Sequence, residues 1–418
     1  MRIVSMFAAS ILSVLSGSVH ADPLSDLAAS AGKDADALIR VGNLMVEAGR
    51  LSDARKAFKQ AQWKSKDNPE ARLGIIRISM AEGKFQESKH FCRKLAQAHP
   101  KSPTGDICSG LFWLGNDRSS RAVDDFEKAA IKGDIARGKT GIGDAESKLG
   151  QWDEAVAAYN EALVAGAGYQ AHLGLGLALE KQGKEADALE SLKQAAAAEN
   201  ASALAHYHLG RLLGKGPEAV KELTLAAEIR PKWFDALSAL GDVREQNGES
   251  AEAEAAYRQA IAVDNNRAPA YFGLATALRA QKKNEEALKA LQEVVDRIPN
   301  HARAYLLFAE IFYEQKQTDK AIEALDRARD VASGDISVFI RSAEIYYDAG
   351  RMTNARAFLN QALSMDSKLS KAHAMLGDIA CERKRYDEGR KHYDSALKGD
   401  RKNIDVAAVQ KKQAACKK

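Results

Sequence analysis

The side chains best suited to chemistry in this 418-residue chain are nine histidines, four cysteines and a series of carboxylates along its second half. The histidines do not converge. His206 and His208 are two apart, which turns them to different faces of a helix. His172, His206 and His373 are widely separated, and no H-E-x-x-H is present, so ligand spacing assigns no metal site. The cysteines, Cys92, Cys108, Cys381 and Cys416, include no C-x-x-C, which sets aside zinc and thioredoxin-like chemistry. There is no G-x-S-x-G and no phosphate loop. Gly174-Leu175-Gly176 and Gly214-Lys215-Gly216 resemble a dinucleotide loop in spacing only, because neither follows a strand. The chain therefore reads as non-enzymatic, with no cofactor.

The elements that carry these residues are organised around Gly143–Leu163, GDAESKLGQWDEAVAAYNEAL. One helix ends at a Gly150 turn and a second doubles back. Gly143 and Ala155 are small where the two must approach, and Trp152, Tyr159, Ala162 and Leu163 give the second helix an apolar side. The second-helix small residue recurs as Ala54, Ser88, Ala122, Ala155, Ala188, Ala219, Ala253, Ala287, Ala321, Ala355 and Gly389, mostly 34 apart. Its first-helix companion is Gly42, Gly110, Gly143, Gly176, Gly210, Gly241, Ala275, Ala309, Ala343 and Gly377. Ile76 breaks that series, which predicts looser packing in the second unit. Turn glycines stand at Gly49, Gly83, Gly150, Gly183, Gly248 and Gly350.

This pattern resembles the tetratricopeptide repeat (TPR), a helix–turn–helix unit of about 34 residues. The resemblance implies an all-α solenoid of about eleven units, wound as a right-handed superhelix with first helices on its inner surface. The predicted organisation is a signal peptide over 1–21, a capping helix over 22–34, repeats over 35–402, and a C-terminal capping helix with a basic tail over 403–418. The unit near 203–233 is three residues short. A shortened turn explains this, and the sharper alternative is a change of pitch that divides the chain there. Each unit buries its apolar side only against its neighbours.

Residues 1–21 carry one charge at Arg2, an apolar run from Ile3 to Leu15, and Val19-His20-Ala21 before Asp22. That is the layout of a cleavable secretory signal cut after Ala21, so the expected location is the periplasm. Exported cysteines meet oxidising conditions. In the repeat register Cys92 and Cys108 lie on antiparallel neighbouring helices, and Cys381 and Cys416 about one period apart, so both pairs are candidate disulfides.

A net charge of +4 gives no general attraction to nucleic acid. In the TPR family, ligands contact first-helix positions on the inner side. Here those are Asp242, Glu245, Phe272, Glu310, Tyr313, Glu314, Glu344, Tyr347, Asp348, Asp378 and Glu382, with Arg77, Met80, Leu111, Leu173, Leu177, Tyr207 and Arg211 in earlier units. Carboxylates beside aromatics suit a protein or peptide partner bearing Lys or Arg. A solvated acidic surface is the plain alternative. The carboxylate clamp of chaperone adaptors is not matched, since Ile39 and Asn43 are followed by no paired set. The expected function is an envelope scaffold that holds a protein or peptide in its groove. The other candidate is a component of an export or assembly apparatus, as in exopolysaccharide secretion or pilus biogenesis, reaching a membrane complex through a partner.

Overall fold

The computed structural model describes residues 23–32, 34–198, 202–332 and 334–417; the predicted signal peptide lies outside them. Among the described residues the regular structure is 24 α-helices and one 3-10 turn, with no strand. The chain forms two compact units, which meet between Val243 and Arg244.

In the first unit, α1 (Pro23–Ala31) lies on the first of six antiparallel hairpins. These are α2/α3 (Ala35–Glu47, Leu51–Lys64), α4/α5 (Pro69–Ala81, Phe85–Ala98), α6/α7 (Thr104–Gly115, Ser119–Ile131), α8/α9 (Ile135–Leu149, Trp152–Val164), α10/α11 (Tyr169–Lys181, Glu185–Ala197) and α12/α13 (Ala203–Leu213, Pro217–Ile229). Helix α14 (Phe234–Gln246) spans the boundary. The second unit continues with α15 (Ser250–Val263) and four hairpins: α16/α17 (Ala268–Ala280, Asn284–Arg297), α18/α19 (Ala302–Glu314, Thr318–Val331), α20/α21 (Ile336–Asp348, Met352–Met365) and α22/α23 (Ser370–Glu382, Tyr386–Lys398). It ends with a 3-10 turn (Arg401–Asn403) and α24 (Val406–Ala415). The last helix thus starts later than its composition suggests. The Asp405 carboxylate accepts the Ala408 amide at 3.0 Å and fixes the start there.

Packing turns on one large side chain per second helix, set between two small neighbours. Phe58 lies against Gly42 of its own hairpin and Gly74 of the next; a methyl group added at either glycine would come within 2.8 Å and 2.5 Å of the ring. Phe126 sits likewise between Gly110 and Gly141, and Tyr159 between Gly143 and Gly174. Where the wedge is a leucine, as with Leu192 on Gly176, the glycine of its own hairpin stays close. Gly174 and Gly176 therefore serve two different wedges on two sides of α10. In the α4/α5 hairpin the sizes are exchanged: Ile76 is large, and the wedge position holds Cys92 in the same core cluster. Those two helices make fewer close approaches than the other hairpins.

The turn glycines adopt left-handed backbone, from Gly49 at φ 72° to Gly248 at φ 81°. Asp117, Lys282, Lys316 and Lys384 take the same conformation at φ 55–61° without being glycine. The short turn of the sixth hairpin uses Gly214 and Gly216, both at positive φ, and Pro217 as the first residue of α13. The division of the chain does not fall at this turn. It falls inside α14, a hairpin element later.

Gly174→Ala is expected to lower the unfolding free energy by about 1–3 kcal/mol, because the new methyl group overlaps the Tyr159 ring. Adding Tyr159→Leu should restore part of that loss in chemical denaturation, since leucine wedges elsewhere need no glycine in the following hairpin.

Candidate protein-binding face

Across the first helices of the second unit, ion pairs join three of the predicted groove residues, Glu310, Glu314 and Glu344. Glu310 on α18 takes ion pairs from two arginines: Arg279 of α16, and Arg341 of α20 at 2.6 Å. Arg279 also holds Glu314 at 2.5 Å. Arg341 reaches Glu344 at 2.8 Å, and Glu344 is bound in turn by Lys371 of α22 at 2.5 Å. The result is a ladder of alternating charge across four successive first helices. Burial works to raise the Glu344 pKa, yet the hydrogen bonds from Arg341 and Lys371 outweigh it and hold the carboxyl below its usual range. Hydrogen bonds to Glu310 and Glu344 correspondingly raise the Arg341 pKa.

The remaining positions separate into three groups. Phe272, Tyr313 and Tyr347 are half-buried on the same helices. The Phe272 ring lies 5.1 Å from that of His301, and the Tyr347 hydroxyl donates to Glu382. Asp378 accepts the Tyr393 hydroxyl at 2.7 Å and Lys412 of α24 at 2.7 Å, so it secures a wedge and the end cap. Asp348 is exposed and pairs with no cation among the described residues. Glu245 is half-buried, with one carboxylate oxygen enclosed and without a hydrogen-bond partner. Asp242 is exposed on α14, one helical turn before Glu245.

The acids of this ladder stand out in the sequence, and its bases do not. Arg279, Arg341 and Lys371 occupy first-helix positions too, and the recurring offset of 31 residues from Arg279 to Glu310 to Arg341 was the available signal. The face is consequently not a strip of free negative charge.

In the first unit, Arg77 and Tyr207 of the earlier inner positions lie in different surroundings. Arg77 lines a cleft of about 450 Å³ with parts of α2, α8 and α10. Tyr207 packs at a tilt against Trp233, with ring centroids 4.7 Å apart, flanked by Arg211 and Arg230. The histidines take local roles: His206 is bonded to Glu222 at 2.7 Å, and His373 lies 3.2 Å from His392 between their ring nitrogens. No group of three or more His, Cys, Asp or Glu able to hold a metal occurs among the described residues. Cys92 is bonded to Cys108 and Cys381 to Cys416, with Cα separations of 5.3 Å and 5.6 Å.

Profiles described as a tetratricopeptide repeat match residues 45–105, 140–203 and 238–301. Over those residues the chain is built of tetratricopeptide-type helical repeats, in keeping with its all-α array of hairpins. A further profile, the C-terminal ARM domain of tetratricopeptide repeat protein 21, matches residues 274–408. No curated protein sequence matches the chain. Among solved structures it is similar to yeast Tom70, at 14% identity and TM-score 0.49 over 92% of this chain and 96% of that one. It is also similar to a tetratricopeptide repeat protein from Parabacteroides merdae, at 15% identity and TM-score 0.48, covering 59% and 98%. A third likeness is to MamA, at 23% identity and TM-score 0.33, covering 37% and 90%. TPR-type scaffolds fit a protein-interaction role.

Two measurements probe these arrangements. Arg341→Ala removes the cation shared by Glu310 and Glu344, and should cost about 1 kcal/mol in low-salt denaturation and clearly less in high salt. Asp144, which accepts the Tyr159 hydroxyl at 2.7 Å, has its pKa raised by burial to about 6. A carboxyl raised in the fold favours the protonated native state, so its contribution is greatest below about pH 4 and is lost as pH rises through about 6. Asp144→Asn should flatten that part of the stability–pH curve.

Proposed function

We propose that this protein is an exported, non-catalytic scaffold of the cell envelope, and that the first-helix face of its second unit holds an extended protein segment carrying basic residues. The observation that carries the proposal is the row of half-buried Phe272, Tyr313 and Tyr347 set among fixed, paired charges. Such a surface is preformed, so a ligand meets ordered side chains and little entropy is lost in arranging them. Apolar residues of the segment would lie on the aromatic rings. Its cations would meet the exposed carboxylates Asp348 and Glu314.

Export is supported by the signal-like composition of residues 1–21 and by the two disulfides, which use all four cysteines of the chain. Among the described residues no helix is long and apolar enough to cross a membrane. Contact with a membrane assembly would accordingly run through a partner.

A fluorescently labelled alternating Arg–Leu hexapeptide is the direct probe. It should bind in an anisotropy titration more tightly than the matching Glu–Leu peptide. Glu314→Lys combined with Asp348→Lys should weaken it about tenfold with helicity unchanged. Equal binding of the two peptides, or indifference to the double substitution, would remove the basis for a basic ligand on this face.

A further inference from the structure

The first two hairpins carry a charge pattern that the face of the second unit does not use. Residues 51–101 hold twelve Lys and Arg against five Asp and Glu, a surplus of seven, whereas the whole chain has a surplus of four. Four of the five acids are already engaged: Asp53 by Arg50 and Lys56, Asp67 by Arg72, Glu70 by Arg137, and Glu82 by Arg55 and Lys84. Arg77 adds to the field on Glu70. The cations that make no ion pair among the described residues are Lys59 and Lys64 of α3, with Lys66 just beyond it, and Lys89, Arg93 and Lys94 of α5, with Lys101 just beyond it. All seven are exposed. Glu87, exposed near the start of α5, is the one acid of the stretch outside these pairs.

The helical period sorts these side chains. On α3 the exposed Lys56, Lys59 and Trp63 recur at steps of three and four, opposite the buried Ala54, Phe58 and Ala61. On α5 the exposed Arg93, Lys94 and Gln97 lie opposite the buried Ser88, Cys92 and Leu95. Arg55 of α3 pairs at 2.7 Å with Glu82 in the turn leading into α5, so the two helices start as neighbours. Among the cations stand two exposed rings: Trp63 is 74% accessible and Phe91 44%. Lys64 lies over the Trp63 ring, 4.4 Å from its centre. Beside that ring is an open hollow of about 690 Å³, walled by Lys59, Trp63 and Lys64 of α3 and by Ala28, Ala29 and Gly32 of α1, and no acid lines it.

We propose that the exposed side of α3 and α5 is a peripheral binding surface for an anionic phospholipid membrane. Trp63 sits among the headgroups, a headgroup phosphate occupies the hollow between Lys59 and Lys64, and the remaining cations face the charged bilayer. Positive charge alone would suit any polyanion. The indole beside a floor of alanine and glycine carbon suits the glycerol and upper acyl region of a lipid, where such rings are favoured. A nucleic-acid strand or an acidic peptide gains less from that apolar floor. Clustered lysines near an anionic surface add attraction that salt screens. Such adsorption needs no spanning helix and is independent of the peptide face in the second unit.

The test is co-sedimentation of the mature chain, from Asp22, with vesicles of equal parts phosphatidylcholine and phosphatidylglycerol, and with vesicles of phosphatidylcholine alone. Binding to the mixed vesicles is expected to be at least about tenfold tighter and to fall with added salt. Lys59→Glu combined with Lys64→Glu should weaken it at least about tenfold. Brominated lipid in the mixed vesicles should quench tryptophan fluorescence, and Trp63→Ala should both weaken binding and remove the quenching. These positions are exposed, so the helical circular dichroism should stay unchanged. Lys411→Glu combined with Lys417→Glu shifts the net charge equally at the C-terminal tail and should leave binding as it was. Absence of binding, equal binding to the two kinds of vesicle, or equal weakening by the tail pair would overturn the proposal. Competition by polyglutamate together with indifference to Trp63→Ala would give the surface to an acidic protein and end its assignment to lipid.

Discussion

The structure depends on how near two helices can come when a ring must fit between them. Phe58, Phe126, Tyr159, Tyr257 and Tyr393 are each almost fully enclosed, and each presses on at least one glycine close enough that a single methyl group would collide. A dense interior has little room for adjustment. The size of the wedge therefore dictates the size of its neighbours, both within a hairpin and in the next one. Where the wedge shrinks to Cys92, the opposite position grows to Ile76 and a covalent bond to Cys108 joins successive hairpins. Conservation of local volume, repeated along the chain, is what makes each hairpin depend on its neighbour.

Charge follows the same neighbour-to-neighbour rule on the exposed side of the first helices. Glu310 and Glu344 each sit between two cations contributed by separate turns or helices. Such pairs are modest individually and screened by salt, but a shared ladder orders several long side chains together. A partner docking here meets a surface whose charges are already committed. Selectivity would then come from the few acids left accessible and from the aromatic rings between the rungs, more than from bulk negative potential.

The fold was legible in the sequence because the repeat writes its packing in residue size. The small residues at Ala54, Ala155 or Ala287 announce a close approach without any knowledge of the partner helix. The Gly-x-Gly of α10 was legible as a spacing but not as a purpose, since its two glycines answer to wedges in different hairpins. Left-handed turns at Lys282, Lys316 and Lys384 carried no sign at all, because turn length enforces them where glycine is missing. The ladder was half legible. Its acids stood out, but a list of acids is silent about bases 31 residues away. The cross-ties Glu70–Arg137 and Glu47–Tyr169 were hidden for a deeper reason: they depend on curvature accumulated over several hairpins, which no single period encodes.

The bond between Cys381 and Cys416 has a directional consequence. Helix α24 buries only Val409 of its own residues in the core, so by apolar contact alone it would be a weak end piece. Linear arrays of this kind ordinarily fray from whichever terminus is looser. With its last helix stitched to α22, the carboxyl end cannot peel away stepwise, and loosening by heat or by a protease must begin elsewhere. The second unit therefore closes on a covalently anchored helix, although its hairpins share the plan of the others.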